Sequence, residues 1–583
     1  MRKKLSQKAK PRIGVFICYC GINIGGIVDI PKVVKYAKKL RGVAYVESNL
    51  YTCSSEGTSK ITEKIKEHNL NRVVVASCTP RTHEPLFRET CEEAGLNKYL
   101  FEMANIREHC SWVHMKEAKN ATEKAKDIVR MTVAKARLLK PQEETEVNVT
   151  PTTLIIGAGI SGMLAALCLA RQGFEVNLVE KEAEVGGMLL KLNKLYPTNE
   201  DASQILNSAI RAVKANDKIN LHTSTIIQEV QGYIGNFEVT ALKNGKETIL
   251  FNVGTIIVAT GAEEFKPTEM YNYGENKNVI TQLELEQLLK TGLPENIKKV
   301  VMIQCVGAME TPYPWGREYC SRICCAVALK NASLLKETKS NPDVYILYRQ
   351  LQAYGREYEN YYLKAQEKNV KFINYLPKKS PTVKSEPGGR LKVNVYNTLI
   401  GDDISLDCDL LVLSTPLVQH EAGKSLSPIL KVPLGADGFF LEAHVKLKPV
   451  DFATDGIYVC GTAHSPKAVD ESIIQAHAAA SSAAIPMSKG RVRSEAITAG
   501  VNEDFCRGCG KCKEVCEYNA ITLEKKVFEV EPFICAPILV ASVNEIVCKG
   551  CGSCAVACPT GAIAMKHFTD KQILAEIEAA YRS

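Results

Sequence analysis

The sequence predicts an α/β protein that ends in a small α+β module rich in cysteine, and three observations predict it. Short apolar, β-branched runs alternate with charged, helix-periodic stretches from residue 11 to about Pro486. A glycine-punctuated strand, turn and helix, TLIIGAGISGMLAALCLARQGFEVNLVE, opens the middle of the chain at Thr153. Two runs of one cysteine spacing, Cys506–Cys516 and Cys548–Cys558, repeat each other near its end.

Taken in order, Ile13–Ile17 and Arg72–Ala76 read as strands of an N-terminal α/β domain over residues 1–140. A polar, acidic linker covers 141–152. The strand Thr153–Gly157 begins a nucleotide-binding domain whose first part runs over 153–295 and whose second part runs over 416–490. A second nucleotide-domain-like unit, 296–415, is inserted between them. The cysteine module occupies 495–568, and 569–583 reads as a terminal amphipathic helix.

Of the 583 residues, 45% are hydrophobic and 24% charged, as in an ordinary globular protein. No apolar run approaches the ~20 residues that cross a bilayer, and the basic start Met1–Arg12 has no apolar signal core behind it, so a cytoplasmic protein with no membrane span is expected. The net charge of +8 is the difference of 73 basic and 65 acidic residues. Its lysines are scattered rather than gathered into a stripe with stacking aromatics, which argues against nucleic acid as a partner. No H-E-x-x-H motif or Ser-His-Asp set offers hydrolytic chemistry. The 22 cysteines of a cytosolic chain are metal ligands or redox groups before they are disulfides.

FCRGCGKCKEVC and VCKGCGSCAVACP are each a C-x2-C-x2-C-x3-C run. In such a pair, three thiolates wrap one cube of iron and sulfide and the fourth reaches the neighbouring cube. The ligand sets are then Cys506, Cys509 and Cys512 with Cys558, and Cys548, Cys551 and Cys554 with Cys516. Glycines at 508, 510, 550 and 552 let the backbone bend around each [4Fe-4S] cluster. Glu517 stands where bacterial ferredoxins commonly have proline, and this removes no ligand.

In the glycine turn, Gly157, Gly159 and Gly162 allow the tight bend, the approach of backbone to a pyrophosphate, and close packing of helix on sheet. The pyrophosphate sits at the positive end of the helix, and Glu180 ends the second strand where a carboxylate accepts ribose hydroxyls. Later segments resemble the thioredoxin-reductase-like flavoproteins, which implies FAD rather than NAD. VGTIIVATGAEEFKP, with Thr260 and Gly261, resembles their second crossing of the flavin domain. Gly186–Gly187 resembles their second turn beside the flavin, and the resemblance brings in the adjoining Lys181 and Met188. DGIYVCGTAHSPKAVDESIIQAHAAA resembles their closing element, with Gly461 and Thr462 near the pyrophosphate side and a helix from Val469 aimed at the isoalloxazine. That family often has aspartate where Thr462 stands.

In the inserted unit, the strand KKVVMIQ is followed by Cys305-Val306-Gly307, and the second glycine fingerprint is missing. YCSRICCAVALK then supplies Cys320, Cys324 and Cys325. Four thiols where a phosphate loop would stand suggest a third cluster; buried packing cysteines or a disulfide-exchanging dithiol are the alternatives. This C…C-x3-CC arrangement, between a flavin fold and a two-cluster tail, resembles the A-type iron–sulfur subunits of heterodisulfide reductase along nearly the whole chain. The resemblance implies flavin-based electron bifurcation. A pair of electrons from a hydrogenase or formate dehydrogenase is split between ferredoxin and the heterodisulfide of coenzymes M and B. It also implies heterodisulfide reductase subunits B and C or their analogues as partners, and a homodimer within the complex. Lys330, five residues after Cys325, matches a family lysine placed near the flavin N5; a surface lysine is the alternative. The ferredoxin insert of longer members is missing between Gly187 and Val253.

VFICYCGINIGG, YTCSSEGT, VVASCTPRTHEPLFRET and ANIREHCSWVH resemble the family's N-terminal domain, which holds another cluster and brings the expected total to four. Cys20, Cys53 and Cys78 fall where strands pass into loops at one end of a parallel sheet. Cys110 is preferred as the fourth ligand over Cys18, which shares a face with Cys20 if the strand continues. His83, His109 and His114 read as structural, and Cys91, Cys168, Cys408, Cys460 and Cys535 as ordinary packing residues. The rival readings are a flavoprotein that takes hydride from NAD(P)H and an electron-relay scaffold.

Overall fold

The computed structural model describes residues 10–309, 317–353, 355, 358–531 and 534–581, with the backbone alone over 527–531 and 534–537. The side chain of Cys535 therefore lies outside the described residues, as do residues 582–583 of the terminal helix expected from the sequence. The chain falls into two compact units. One comprises the described parts of Met1–Glu146 and Arg493–Ser583, the other Val147–Val492.

In the first unit, four parallel strands lie in the order β2-β1-β3-β4: β1 (Ile13–Cys18), β2 (Val43–Asn49), β3 (Arg72–Ser77) and β4 (Phe101–Asn105). Every residue of β1 is buried, the pattern of a parallel strand covered on both faces. Helices α1 (Ile30–Ala37), α2 (Ser55–Glu67), α3 (Pro80–Glu93) and α4 (Ala118–Ala136) accompany the sheet. Two of them start directly behind cysteines. Ser54 caps α2 by accepting from Gly57 N at 3.2 Å, and Thr79 caps α3, which carries Pro80 in its first turn. Cys53 and Cys78 thus sit at helix amino ends, where partial positive charge favours a thiolate.

The same unit contains the C-terminal module, which the sequence alone treats as separate. A two-stranded pair, Ala499–Val501 with Ile563–Met565, and a hairpin, Ile521–Glu531 with Ile534–Val543, frame two short cysteine-bearing helices. The last helix, Asp570–Tyr581, is tied to α4 by Arg130, whose Nε donates to Ala579 O at 2.6 Å. The half-buried Glu102 of β4 takes Lys135 Nζ at 3.0 Å and His567 Nε2 at 3.1 Å. Tyr99 joins the two segments again, donating to Glu144 at 2.7 Å and accepting from Ala496 N at 3.1 Å.

The second unit holds two five-stranded parallel sheets. The first runs Ile457–Val459, Thr255–Val258, Thr152–Ile156, Glu175–Val179, Ile219–His222. The second runs Val279–Thr281, Leu410–Leu413, Lys299–Ile303, Asp343–Tyr348, Lys371–Asn374. Each carries a three-stranded antiparallel sheet in its sequence span, 225–253 and 382–408. Because Val279–Thr281 pairs with Leu411–Leu413, the structural border between the sheets falls before residue 279 rather than at 295. Among the described residues no helix is long and apolar enough to cross a membrane.

Candidate functional site

Helix α5 (Ile160–Arg171) follows the strand Thr152–Ile156 through the glycine turn, and Gly159 stands at its N-cap with no side-chain cap. A Cβ on Gly162 would lie 1.8 Å from Gly157 O, so only glycine lets the helix rest on the turn. A Cβ on Gly159 would meet nothing within 4 Å, because that position faces a cavity of about 1140 Å³. The uncapped amides of α5 therefore open onto space large enough for a dinucleotide.

Gly157, Gly159, Glu180 and Lys181 line this cavity, as do Gly186, Gly187 and Met188 from the second turn and Thr260, Gly261 and Thr462 from the later crossings. The two turns touch: Gly186 N donates to Ala158 O at 2.9 Å. Gly162 and Gly461 stand behind the wall; a Cβ on Gly461 would come within 2.3 Å of Ser161 Oγ. Glu180 is buried and accepts from Ala158 N at 2.8 Å and Glu182 N at 3.0 Å, which fixes its carboxylate in the wall. The hydroxyls of Thr260 and Thr415 are buried on the cavity wall with no hydrogen-bond partner among the described residues. A polar ligand there would satisfy them, so the donor set fits FAD.

The far wall comes from the helix Cys324–Lys336. Cys324, Val327 and Lys330, at helical spacing, all line the cavity. Lys330 is 2% exposed, so it is no surface lysine. Its Nζ donates to Lys194 O at 2.6 Å and pairs with Glu286 on the helix Gln282–Thr291. Burial pushes the Lys330 ammonium down and Glu286 opposes that shift. The sequence reading missed Glu286, although a glutamate at a buried position of that helix was the available signal. It also missed Lys467, whose Nζ holds Gly461 O at 2.9 Å and Ser465 O at 3.0 Å beside the closing helix Val469–Lys489.

Cys324 belongs to the central thiols. Burial first, then Cys325, Cys305 and Cys320 push its thiol up, so the other three lie within electrostatic reach of it. Cys305 follows the strand Lys299–Ile303 in a left-handed conformation, φ 63°. Arg322 N donates to Cys320 Sγ at 3.3 Å.

In the N-terminal sheet, Cys18 ends β1 and Cys20 turns left-handed at φ 47°, so the strand does not continue and the two do not alternate as strand neighbours. Burial and Cys18 raise the Cys20 thiol, burial and Cys18 raise Cys53, and Cys78 is raised to about 11 by burial with Cys20 and Cys53 contributing. Cys110, the preferred fourth ligand, is not brought to this group. It sits in a wide turn closed by bonds from Ser111 N to Ile106 O and from Trp112 N to Arg107 O, and its thiol donates to Ala121 O at 3.0 Å inside the core. Cys18, rather than Cys110, is the cysteine that acts on Cys20 and Cys53.

In the C-terminal module, Cys516, Cys548, Cys551 and Cys554 line one small cavity, and Cys554 is raised to about 11 by burial and then by the other three. Cys512 is raised by burial, with Cys506 and Cys509 contributing. Backbone amides reach two sulfurs, Ala541 N to Cys506 Sγ at 3.4 Å and Ala520 N to Cys516 Sγ at 3.3 Å. Cys558 packs in the same small core, its thiol 3.6 Å from Thr560 Oγ1. Among the described residues no three His, Cys, Asp or Glu side chains converge closely enough to hold a single metal ion. The thiols stand in wider groups, and a four-iron cube is wider than one ion. Cys91, Cys408 and Cys460 are buried in the cores, and Cys168 is half-buried.

Comparison with known proteins gives concordant matches. Residues 151–483 match the pyridine nucleotide-disulphide oxidoreductase family, and 505–562 the 4Fe-4S dicluster domain. The chain is 39% identical to the A-type subunit of the H(2):CoB-CoM heterodisulfide,ferredoxin reductase of Methanothermobacter marburgensis, over 90% of this chain and 92% of that protein. It is 39% identical to the A-type iron-sulfur subunit of the CoB–CoM heterodisulfide reductase of Methanocaldococcus jannaschii, over 88% and 92%. With the A-type subunit of the H(2)/formate:CoB-CoM heterodisulfide,ferredoxin reductase of Methanococcus maripaludis it shares 37% identity over 88% and 91%.

Proposed function

Because the chain belongs to the family of heterodisulfide reductase A-type subunits, an oxidoreductase family of flavin and iron–sulfur proteins, we propose that it bifurcates electrons at FAD within a heterodisulfide-reductase-type complex. In this reading the chain holds four [4Fe-4S] clusters: two in the C-terminal module, one on Cys305, Cys320, Cys324 and Cys325, and one on Cys18, Cys20, Cys53 and Cys78. The observation that carries it is the helix Cys324–Lys336, which gives one wall of the flavin cavity both a thiol of the central group and a buried lysine.

Bound FAD supplies conversion between electron pairs and single electrons, and clusters accept electrons singly. The chain's own groups bind and orient it. The α5 amides and Gly157–Gly159 would hold the pyrophosphate and Glu180 the ribose, and the opening turn of the helix Val469–Lys489 lines the same cavity. Lys330 brings a buried Nζ to the cavity wall, where the Lys194 carbonyl and Glu286 fix its position and Glu286 opposes the downward shift caused by burial.

The proposed partners are subunits B and C or their analogues, a hydrogenase or formate dehydrogenase as electron donor, ferredoxin, and a second copy of the chain. A nicotinamide donor is disfavoured, since left-handed Cys305 occupies the turn where the second glycine fingerprint would stand. The test is made on the complex purified anaerobically with its native partners, with the donor's substrate as reductant. Bifurcation requires that ferredoxin be reduced only while the disulfide acceptor is also present. Ferredoxin reduction at an unchanged rate without the acceptor would establish a simple relay instead.

A further inference from the structure

In the N-terminal sheet an arginine stands against the thiol of Cys20. At the end of β4 the backbone widens into the turn Arg107–Ser111, a conformation often found at functional sites. Asn105 Oδ1 accepts from the amides of Arg107 at 3.2 Å and Glu108 at 3.0 Å, so the turn's geometry is fixed from the strand itself. From this turn the Arg107 guanidinium reaches back, and its Nη1 donates to Cys20 Sγ at 3.9 Å. The rest of the guanidinium is immobilised. Glu108 accepts from Nε at 3.1 Å and Nη2 at 2.7 Å, and the Trp112 ring lies 4.8 Å from its centre. Each strand of the sheet therefore sends one element to the same end: Cys18 and Cys20 from β1, Cys53 from β2, Cys78 from β3, and Arg107 from β4.

We propose that Arg107 is a positioning residue for the N-terminal cluster, which raises its reduction potential by holding a fixed positive charge and an N–H donor against the Cys20 sulfur. This rests on the reading that Cys18, Cys20, Cys53 and Cys78 ligate a [4Fe-4S] cluster. The reduced cluster carries one more negative charge than the oxidised cluster. A nearby cation stabilises the reduced form more, and hydrogen bonds to the sulfurs act in the same direction. Glu108 holds the opposite edge of the guanidinium, at its Nε and Nη2. The pair sets the local charge: an arginine toward the sulfurs and a carboxylate behind it.

The experiment is a redox titration of the full-length, anaerobically purified protein followed by electron paramagnetic resonance. The N-terminal signal is the one that disappears in Cys53→Ser. Arg107→Met is expected to retain its iron and to move that midpoint down. At the wild-type midpoint the reduced-to-oxidised ratio should fall about tenfold, which for one electron is about 59 mV. Arg107→Lys restores part of the shift, and Glu108→Gln moves the midpoint up. Opposite signs at neighbouring positions are what a charge effect requires and a merely structural role does not. An unmoved midpoint in iron-replete Arg107→Met overturns the proposal. If that variant loses the cluster, Glu108→Gln decides: a midpoint that stays or falls overturns it. If Cys53→Ser removes neither iron nor signal, the ligand reading itself fails.

Discussion

Lys330 and Glu286 form a buried ion pair in the wall of the flavin cavity, contributed by two helices and separated by 44 positions in sequence. Glu286 is held from its other oxygen by Asn193 N at 3.0 Å, so the carboxylate is fixed before the lysine meets it. Removing only the lysine would strand that carboxylate out of water. Lys330→Met is expected to destabilise this unit by roughly 3–5 kcal/mol, and Lys330→Met with Glu286→Gln to recover most of the loss. The urea midpoint for flavin release measures both.

The glycine turn predicts a sharp effect from the smallest side chain. A methyl group at position 162 would overlap Gly157 O at 1.8 Å and must push the turn or the helix away. Gly162→Ala is expected to weaken FAD binding by at least about tenfold, about 1.4 kcal/mol. Fluorimetric titration of flavin-depleted protein with FAD checks it.

The N-terminal ligand set separates two cysteines. Cys18→Ala is expected to lose one cluster's worth of iron and acid-labile sulfide, because Cys18 ends β1 within electrostatic reach of Cys20 and Cys53. Cys110→Ala is expected to keep the full count and lose only about 1 kcal/mol of stability with the Ala121 contact. Iron and sulfide analysis of the two variants distinguishes them.

Lys467 predicts a pH dependence. Burial pushes its ammonium down from 10.5 to about 8, against the opposing charge of Glu471. Between these values the unfolded chain binds a proton that the folded chain does not, so stability rises with pH through that window. Below about 8 the folded protein bears the cost of a buried charge. In flavin-free protein, wild type should gain on Lys467→Met from pH 8 to 10.5, by up to about 3 kcal/mol. Denaturation midpoints of both proteins across that range report the difference.

What the sequence carried plainly was local chemistry. The turn with Gly157, Gly159 and Gly162 and the two C-x2-C-x2-C-x3-C runs are written in consecutive residues, and a short backbone segment decides what they do. The choice between Cys18 and Cys110 was not of that kind. It turned on a left-handed residue at Cys20, which ends the strand alternation, and on a wide turn at Arg107–Ser111, which sends Cys110 inward to α4. Neither conformation has a residue signature of its own. Glu286 was hidden for another reason: its partner lies on a different helix, and only the packing of the second sheet brings them together. The place of Val279–Thr281 in that sheet, rather than in the first flavin segment, has the same origin in long-range strand pairing.

Electron transfer in this reading depends most on a cluster ligated from the flavin's own wall. The direct measurement is iron, acid-labile sulfide and FAD per chain in anaerobically prepared full-length protein, wild type against Cys324→Ser. The variant is predicted to keep its FAD and to lose one [4Fe-4S] cluster of the four. Undiminished iron and sulfide in that variant would contradict a central cluster on Cys324.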